Sequence, residues 1–185
     1  MAIRYSSLGL VLRGLEDYQG AKVLLEKAII LNEKNFGENH PTTANSYSNL
    51  AMVLQDLGYY QEAKNLLEKT IISDIKNFGE EHPTTATHYF NLALVLKESE
   101  NYQDAKKLLE KTVSLAEKNF GEEHPTTAKR YLNLATVLHT IEDYQGARNL
   151  FEKAYQIFKM QLGDAHPKTK IIKENIDSIN KKENT

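Results

Sequence analysis

The stretch NFGENHPTTA at 35–44 returns as NFGEEHPTTA at 77–86 and again at 119–128, then decays to QLGDAHPKTK at 161–170. The spacing is 42 residues each time. Outward from this phrase, Leu8, Leu50, Leu92 and Leu134 fall in one register, as do Tyr18, Tyr60, Tyr102 and Tyr144, and Ala21, Ala63, Ala105 and Ala147. A fixed period without insertions marks a repeat architecture, in which each unit is one supersecondary element that buries its apolar face only against its neighbours.

Each unit reads as two helices. Tyr47, Leu50, Ala51 and Leu54 are spaced i, i+3, i+4, i+7, which is one face of an α-helix, and Gly58 closes it. A second apolar stripe runs from Tyr60 through Ala63, Leu66, Leu67, Thr70 and Ile71 to Phe78-Gly79, where glycine supplies the left-handed residue past a helix end. His82-Pro83-Thr84-Thr85 opens the next unit, with proline suited to a first helical position and hydroxyls close to the free amides. The pattern predicts helices near 3–14, 17–35, 43–56, 59–77, 85–98, 101–119, 127–140 and 143–161. One domain over 1–185 is expected, with repeats at about 1–42, 43–84, 85–126 and 127–168.

Small residues explain how such hairpins would pack. Ala51, Ala93 and Ala135, with Gly9 in the first unit, stand where a first helix must approach its neighbour closely. A larger side chain there would cost about 1–3 kcal/mol. Past the last repeat, Ile172, Ile176 and Ile179 form one apolar stripe, whereas Lys173, Asp177 and Asn180 replace the residues that would meet a further helix. That segment, about 168–181, is expected to be a solvating cap. No such cap precedes the first unit, where Met1 falls in register with Thr43. Either the natural protein starts abruptly here or the segment is trimmed from a longer array, and we expect the latter.

Composition narrows the function classes. Lys plus Arg number 23 against 25 Asp plus Glu, a net charge of −2, which gives no electrostatic footprint for nucleic acid or an anionic membrane. There is no cysteine, so disulfides, thiolate zinc sites and cysteine nucleophiles are excluded. No apolar run approaches the ~20 residues of a membrane span. These features point to a reducing, cytoplasmic setting.

Motifs that could carry chemistry dissolve into the repeat. His40, His82, His124 and His166 recur one per unit beside a proline. Metal ligands must converge within ~2 Å of one ion, while stacked units stand about a helix diameter apart, so these histidines read as helix-start residues. His88 and His139 have no partner at ligand spacing. Lys22/Glu26, Lys64/Glu68, Lys106/Glu110 and Arg148/Glu152 are i, i+4 pairs of a solvated face. No nucleophile motif and no glycine-rich phosphate loop is present, so no catalytic residue, cofactor or metal is expected.

The series Tyr47, Leu50, Ala51, Leu54, Tyr60, Ala63 and Leu67, with Thr70 in place of the usual alanine, resembles the tetratricopeptide repeat. The 42-residue length and the tail LEKTIISDIKNFGEEHPTTA are similar to the subclass found in kinesin light chains. The resemblance implies an all-α solenoid, a right-handed superhelix of four helix-turn-helix repeats plus a C-terminal capping helix. It also implies a concave groove that binds a peptide. Carried over by position, the groove residues are Ile3, Ser6, Ser7, Leu10 and Arg13; Asn45, Ser48, Asn49, Met52 and Gln55; Thr87, Phe90, Asn91, Leu94 and Lys97; and Lys129, Leu132, Asn133, Thr136 and His139.

Asn49, Asn91 and Asn133 have two readings. They read a ligand's backbone, since an amide both donates and accepts, or they bridge neighbouring helices. Ser48, Phe90 and Leu132 differ between units and would carry specificity. Arg13, Lys97, Lys129 and Arg130 would form a mildly basic end favouring acidic peptides, blunted by Asp56 and Glu98. The expected role is a protein-interaction scaffold. The alternatives are a homo-oligomer built through the uncapped first helix, or a regulatory segment of a larger signalling protein.

Overall fold

A computed structural model describes residues 1–183 of the chain. They fall into two compact units, Met1–Glu100 and the residues from Asn101 onward. The first holds α1 (Ala2–Gly14), α2 (Tyr18–Phe36), α3 (Pro41–Asp56), α4 (Tyr60–Phe78) and α5 (Pro83–Glu98). The second holds α6 (Tyr102–Phe120), α7 (Pro125–Thr140), α8 (Tyr144–Leu162) and α9 (Pro167–Glu183). The fold is an all-α solenoid of helix-turn-helix repeats. No described helix is long and apolar enough to cross a membrane.

The recurring phrase is a helix stop and a helix start in one device. Gly79 takes φ +93°, a left-handed conformation that costs glycine little, and ends α4. The Phe78 ring stacks on His82 at 5.0 Å, and His82 Nδ1 accepts from the Thr84 amide at 3.2 Å. Thr85 Oγ1 then donates to the Gly79 carbonyl at 2.8 Å. The same bonds recur at Phe36, His40 and Thr43 and at Phe120, His124 and Thr127. Each histidine is thus an N-cap, satisfying an amide that a helix start leaves unpaired. Because the cap sits before the proline, α3, α5 and α7 begin two residues earlier than the apolar stripe alone indicated.

In the first unit each second helix is sandwiched, α2 against α1 and α3, and α4 against α3 and α5. Ala51, Ala63 and Ala93 are fully buried at the close approaches. A Cβ on Gly9 would lie 2.9 Å from Leu25 Cγ, so α1 and α2 approach as closely as glycine permits. Thr70, at the family's alanine position, stays buried by donating to the Leu66 carbonyl at 2.9 Å. Leu50 is 6% exposed and Val53 fully buried, whereas their α1 equivalents Leu8 and Val11 are 50% and 56% exposed. In the second unit α7 packs on α6 and α8, and α9 covers α8 with Ile172 and Ile179 fully buried. Lys173 and Asp177 of α9 face solvent.

A further layer distinguishes one repeat from the next. Asn32 Nδ2 donates to Ser46 Oγ at 2.8 Å, and both are buried. One repeat on, in the same register, Asp74 Oδ2 meets His88 Nδ1 at 2.5 Å, again buried. In the second unit these positions hold Ala116 with Arg130, and then Phe158 with Ile172. The reading of His88 as a residue without a partner is corrected here, because Asp74 is fourteen residues away on another helix. Tyr47 and Tyr131 hydroxyls donate to Glu33 and Glu117, each at 2.6 Å. Burial first, and then the adjoining carboxylate, raise both phenols above their usual range, so they remain donors.

Candidate binding face

First helices of the first unit meet along two seams, α1 with α3 and α3 with α5. At one seam Arg13 Nε donates to Asp56 Oδ2, and the same guanidinium approaches Met52 Sδ at 3.4 Å. At the other, Asn91 Nδ2 donates to Ser48 Oγ at 3.4 Å, a long bond to a buried hydroxyl. Periodicity brings these residues together, since positions 42 apart on stacked hairpins share a face.

The expected groove residues of this unit differ in what they can offer. Asn45 is exposed, while Asn49, Gln55, Phe90, Asn91 and Lys97 are half-buried. The Asn49 and Gln55 amides make no hydrogen bond among the described residues. Lys97 pairs with Glu98 at 3.0 Å, and Arg13 is taken up by Asp56, so the charges here are largely neutralised within the face. Leu10, Arg13, Gly14, Glu16, Tyr18 and Asp56 line a shallow cleft of about 320 Å³ at one end. A wider cleft of about 620 Å³ lies among α2, α3 and α4, rimmed by Lys22, Tyr59, Glu62 and Lys69. Its Leu50 and Leu54 are buried.

In the second unit Lys129 is exposed on α7, and Leu132, Asn133 and His139 are half-buried. Asn133 Nδ2 donates to the Lys129 carbonyl one turn back at 2.9 Å, and the His139 ring meets Tyr144 edge-on at 5.5 Å. The three asparagines are therefore not equivalent. Asn49 is uncommitted, Asn91 bridges two helices, and Asn133 folds onto its own. Arg130 does not belong to a basic groove end: it is 7% exposed, and burial lowers its pKa to about 10. The 42-residue register already sets it apart from Lys129, since Arg130 falls in line with the buried Ser46 and His88.

No curated protein matches the chain. The tetratricopeptide repeat profile matches residues 1–71, 71–118 and 84–160. Two solved structures of kinesin light chain-like, nearly identical TPR-like repeats from Podosopora anserina are each 25% identical to it. One aligns over 96% of this chain and 84% of its own with a TM-score of 0.83. The other covers 97% and 94% with a TM-score of 0.78. BtubC (BKLC) from P. vanneervenii, 22% identical over 96% of this chain and 70% of its own, has the same fold with a TM-score of 0.82. Proteins of this fold generally serve as protein–protein interaction scaffolds and are typically non-enzymatic. The chain belongs to the tetratricopeptide repeat family, in its kinesin light chain-like form.

Proposed function

We propose that the first-helix face of the first unit binds an extended segment of a partner protein. Asn49 carries this reading: a half-buried amide with no intramolecular partner, set beside Met52 and one register from Asn91. A peptide backbone passing over it would satisfy both the Asn49 donor and acceptor, and exchanging water for such bonds contributes about 1 kcal/mol each. Phe90 and Leu94 supply half-buried apolar contacts, while Asn45 and Gln55 border them. On the second unit Lys129, Leu132, Asn133 and His139 form the corresponding α7 face, and acidic ligand residues are expected opposite the exposed Lys129. A micromolar constant, about −8 kcal/mol, is ordinary for such modules.

The test begins with photo-crosslinking from Gln55 in extract of the native source, which identifies the bound segment. Fluorescence anisotropy of that peptide then compares the wild type with Asn49→Ala/Asn91→Ala. The expected loss is about 2 kcal/mol, or roughly thirtyfold in Kd, in a chain that remains folded. Equal affinity for the two proteins would remove this face from the account.

A second reading rests on α1, where Leu8 and Val11 are exposed although their counterparts in α3, Leu50 and Val53, are buried. Self-association through this surface predicts a sedimentation coefficient that rises with concentration and is flattened by Leu8→Lys/Val11→Lys. A concentration-independent monomer would eliminate it.

A further inference from the structure

In the second unit, Tyr155 and Lys159 of α8, Asp164 of the connecting loop, and Thr169, Lys170 and Lys173 of α9 line a cleft of about 380 Å³. None of these residues belongs to the proposed peptide face.

Two departures from the repeat pattern meet here. One repeat earlier, the positions of Lys159 and Lys173 hold Glu117 and Tyr131, which hydrogen-bond to each other at 2.6 Å. An attractive pair has been exchanged for two cations. The second departure is Thr169. Thr43, Thr85 and Thr127 stand in its register and donate to glycine carbonyls at 2.8, 2.8 and 2.7 Å. Thr169 is 1% exposed, and its hydroxyl has no hydrogen-bond partner among the described residues. An orphaned buried donor calls for a physical reason; here it borders a cleft lined by three lysines and one carboxylate.

The charge balance indicates what would fill it. Asp164 accepts from Tyr155 Oη at 2.8 Å and pairs with Lys159 Nζ at 3.1 Å. The tyrosine hydrogen bond foremost, then Lys159, and further off the charge of Lys173, hold its carboxyl below the usual range, so it stays ionised. Lys170 and Lys173 make no ion pair among the described residues. Three lysines against one carboxylate leave two positive charges, and a phosphate monoester carries about −1.5 to −2 at pH 7. A monocarboxylate would match only half of them.

We propose that this cleft binds a phosphate monoester carried on a protein segment, a phosphoserine or phosphothreonine, with Lys170 and Lys173 as its cationic ligands and the Thr169 hydroxyl as a neutral donor. Two ammonium groups lining one cleft and matched charge make charge-assisted bonds the source of affinity. A second interaction site then exists whose occupancy depends on the phosphorylation state of the partner.

The test uses the full ¹⁵N-labelled chain, titrated at constant ionic strength with an alanine-flanked hexapeptide containing phosphoserine. The arms are its unphosphorylated twin, inorganic phosphate, and vesicles of phosphatidylcholine with 5% phosphatidylinositol 4-phosphate. Saturable shifts at the Thr169, Lys170 and Lys173 amides with the phosphopeptide, and none with its twin, are expected. Lys170→Ala/Lys173→Ala should weaken binding at least about tenfold, whereas Lys34→Ala/Lys76→Ala, with the same change in net charge, should leave it unaltered. Thr169→Val should weaken phosphopeptide binding several-fold while raising the thermal midpoint, because it removes a buried hydroxyl that lacks a partner. Four results would overturn the proposal: no saturable shift, equal losses in both lysine pairs, a lowered midpoint in Thr169→Val, or inorganic phosphate or vesicles binding as tightly as the phosphopeptide.

Discussion

Cutting the Asp74–His88 pair tests whether buried polar contacts specify how successive repeats seat on one another. Both side chains are nearly inaccessible, at 2% and 7% exposure, and each is the other's polar partner across the α4–α5 packing. With Asp74 ionised, His88 Nδ1–H is the donor. Asp74→Ala leaves an imidazole N–H buried without its acceptor, which costs about 1–3 kcal/mol. His88→Ala strands the carboxylate and adds a cavity term of about 24 cal/mol per Å³ left open. The double variant strands neither group, so it should cost less than the sum by about 2 kcal/mol, the coupling expected of residues in direct contact. Asp74→Asn/His88→Ser installs the Asn32–Ser46 pair of the neighbouring interface and should lie within about 2 kcal/mol of wild type, the remainder being lost ring volume. Urea unfolding followed by far-UV circular dichroism gives the midpoints. Repeat arrays do not always unfold in one step, so hydrogen exchange of the α4 and α5 amides provides the local figure. A loss of 3 kcal/mol accelerates exchange there about a hundredfold. If Asp74→Ala cost under about 0.5 kcal/mol, or if the two single losses simply added, the pair would be a bystander.

His82→Ala removes the α5 cap and should lower stability by about 1 kcal/mol, whereas His82→Asn keeps a capping acceptor and should retain most of it; thermal midpoints of the two variants distinguish capping from the ring stacking with Phe78. Glu16, Glu100 and Glu142 take φ of 63°, 62° and 64°, a conformation that Gly58 adopts in the equivalent turn. Glu16→Gly is therefore expected to stabilise the chain by about 0.5–1 kcal/mol, since strain relief outweighs the entropy of the freer unfolded chain, and a lowered midpoint would contradict the strain. Ala51→Leu, at a position with no exposed surface, should cost about 1–3 kcal/mol by wedging first and second helices apart, readable as a drop in urea midpoint.

Helix compensation at the turns shows how much local order is written in the chain. Asp17 and Asp143 cap α2 and α8 by accepting from the Gly20 and Gly146 amides. At Gly20 a Cβ would lie 2.4 Å from the Asp17 carboxylate. Where Tyr59 and Asn101 replace these aspartates and make no such bond, Glu62 and Asp104 replace the glycines and put negative charge in the first turn. Either solution suits the positive end of a helix.

What the amino-acid order alone determined is everything with a local cause: the 42-residue period, the helices, the glycine stops, the proline starts, and the rows of leucine and alanine that pack. These follow from backbone sterics and the 3.6-residue turn, which act over a few positions. Tertiary structure alone decided which polar residues meet. Asp74 finds His88, Asn32 finds Ser46, Asn91 reaches Ser48, and the Thr169 hydroxyl is left without the carbonyl that its three counterparts use. Those outcomes depend on the angle and offset at which one helix crosses another, set jointly by every side chain in the contact. The repeat carries the scaffold; the departures from it, seen only when helices touch, carry its individuality.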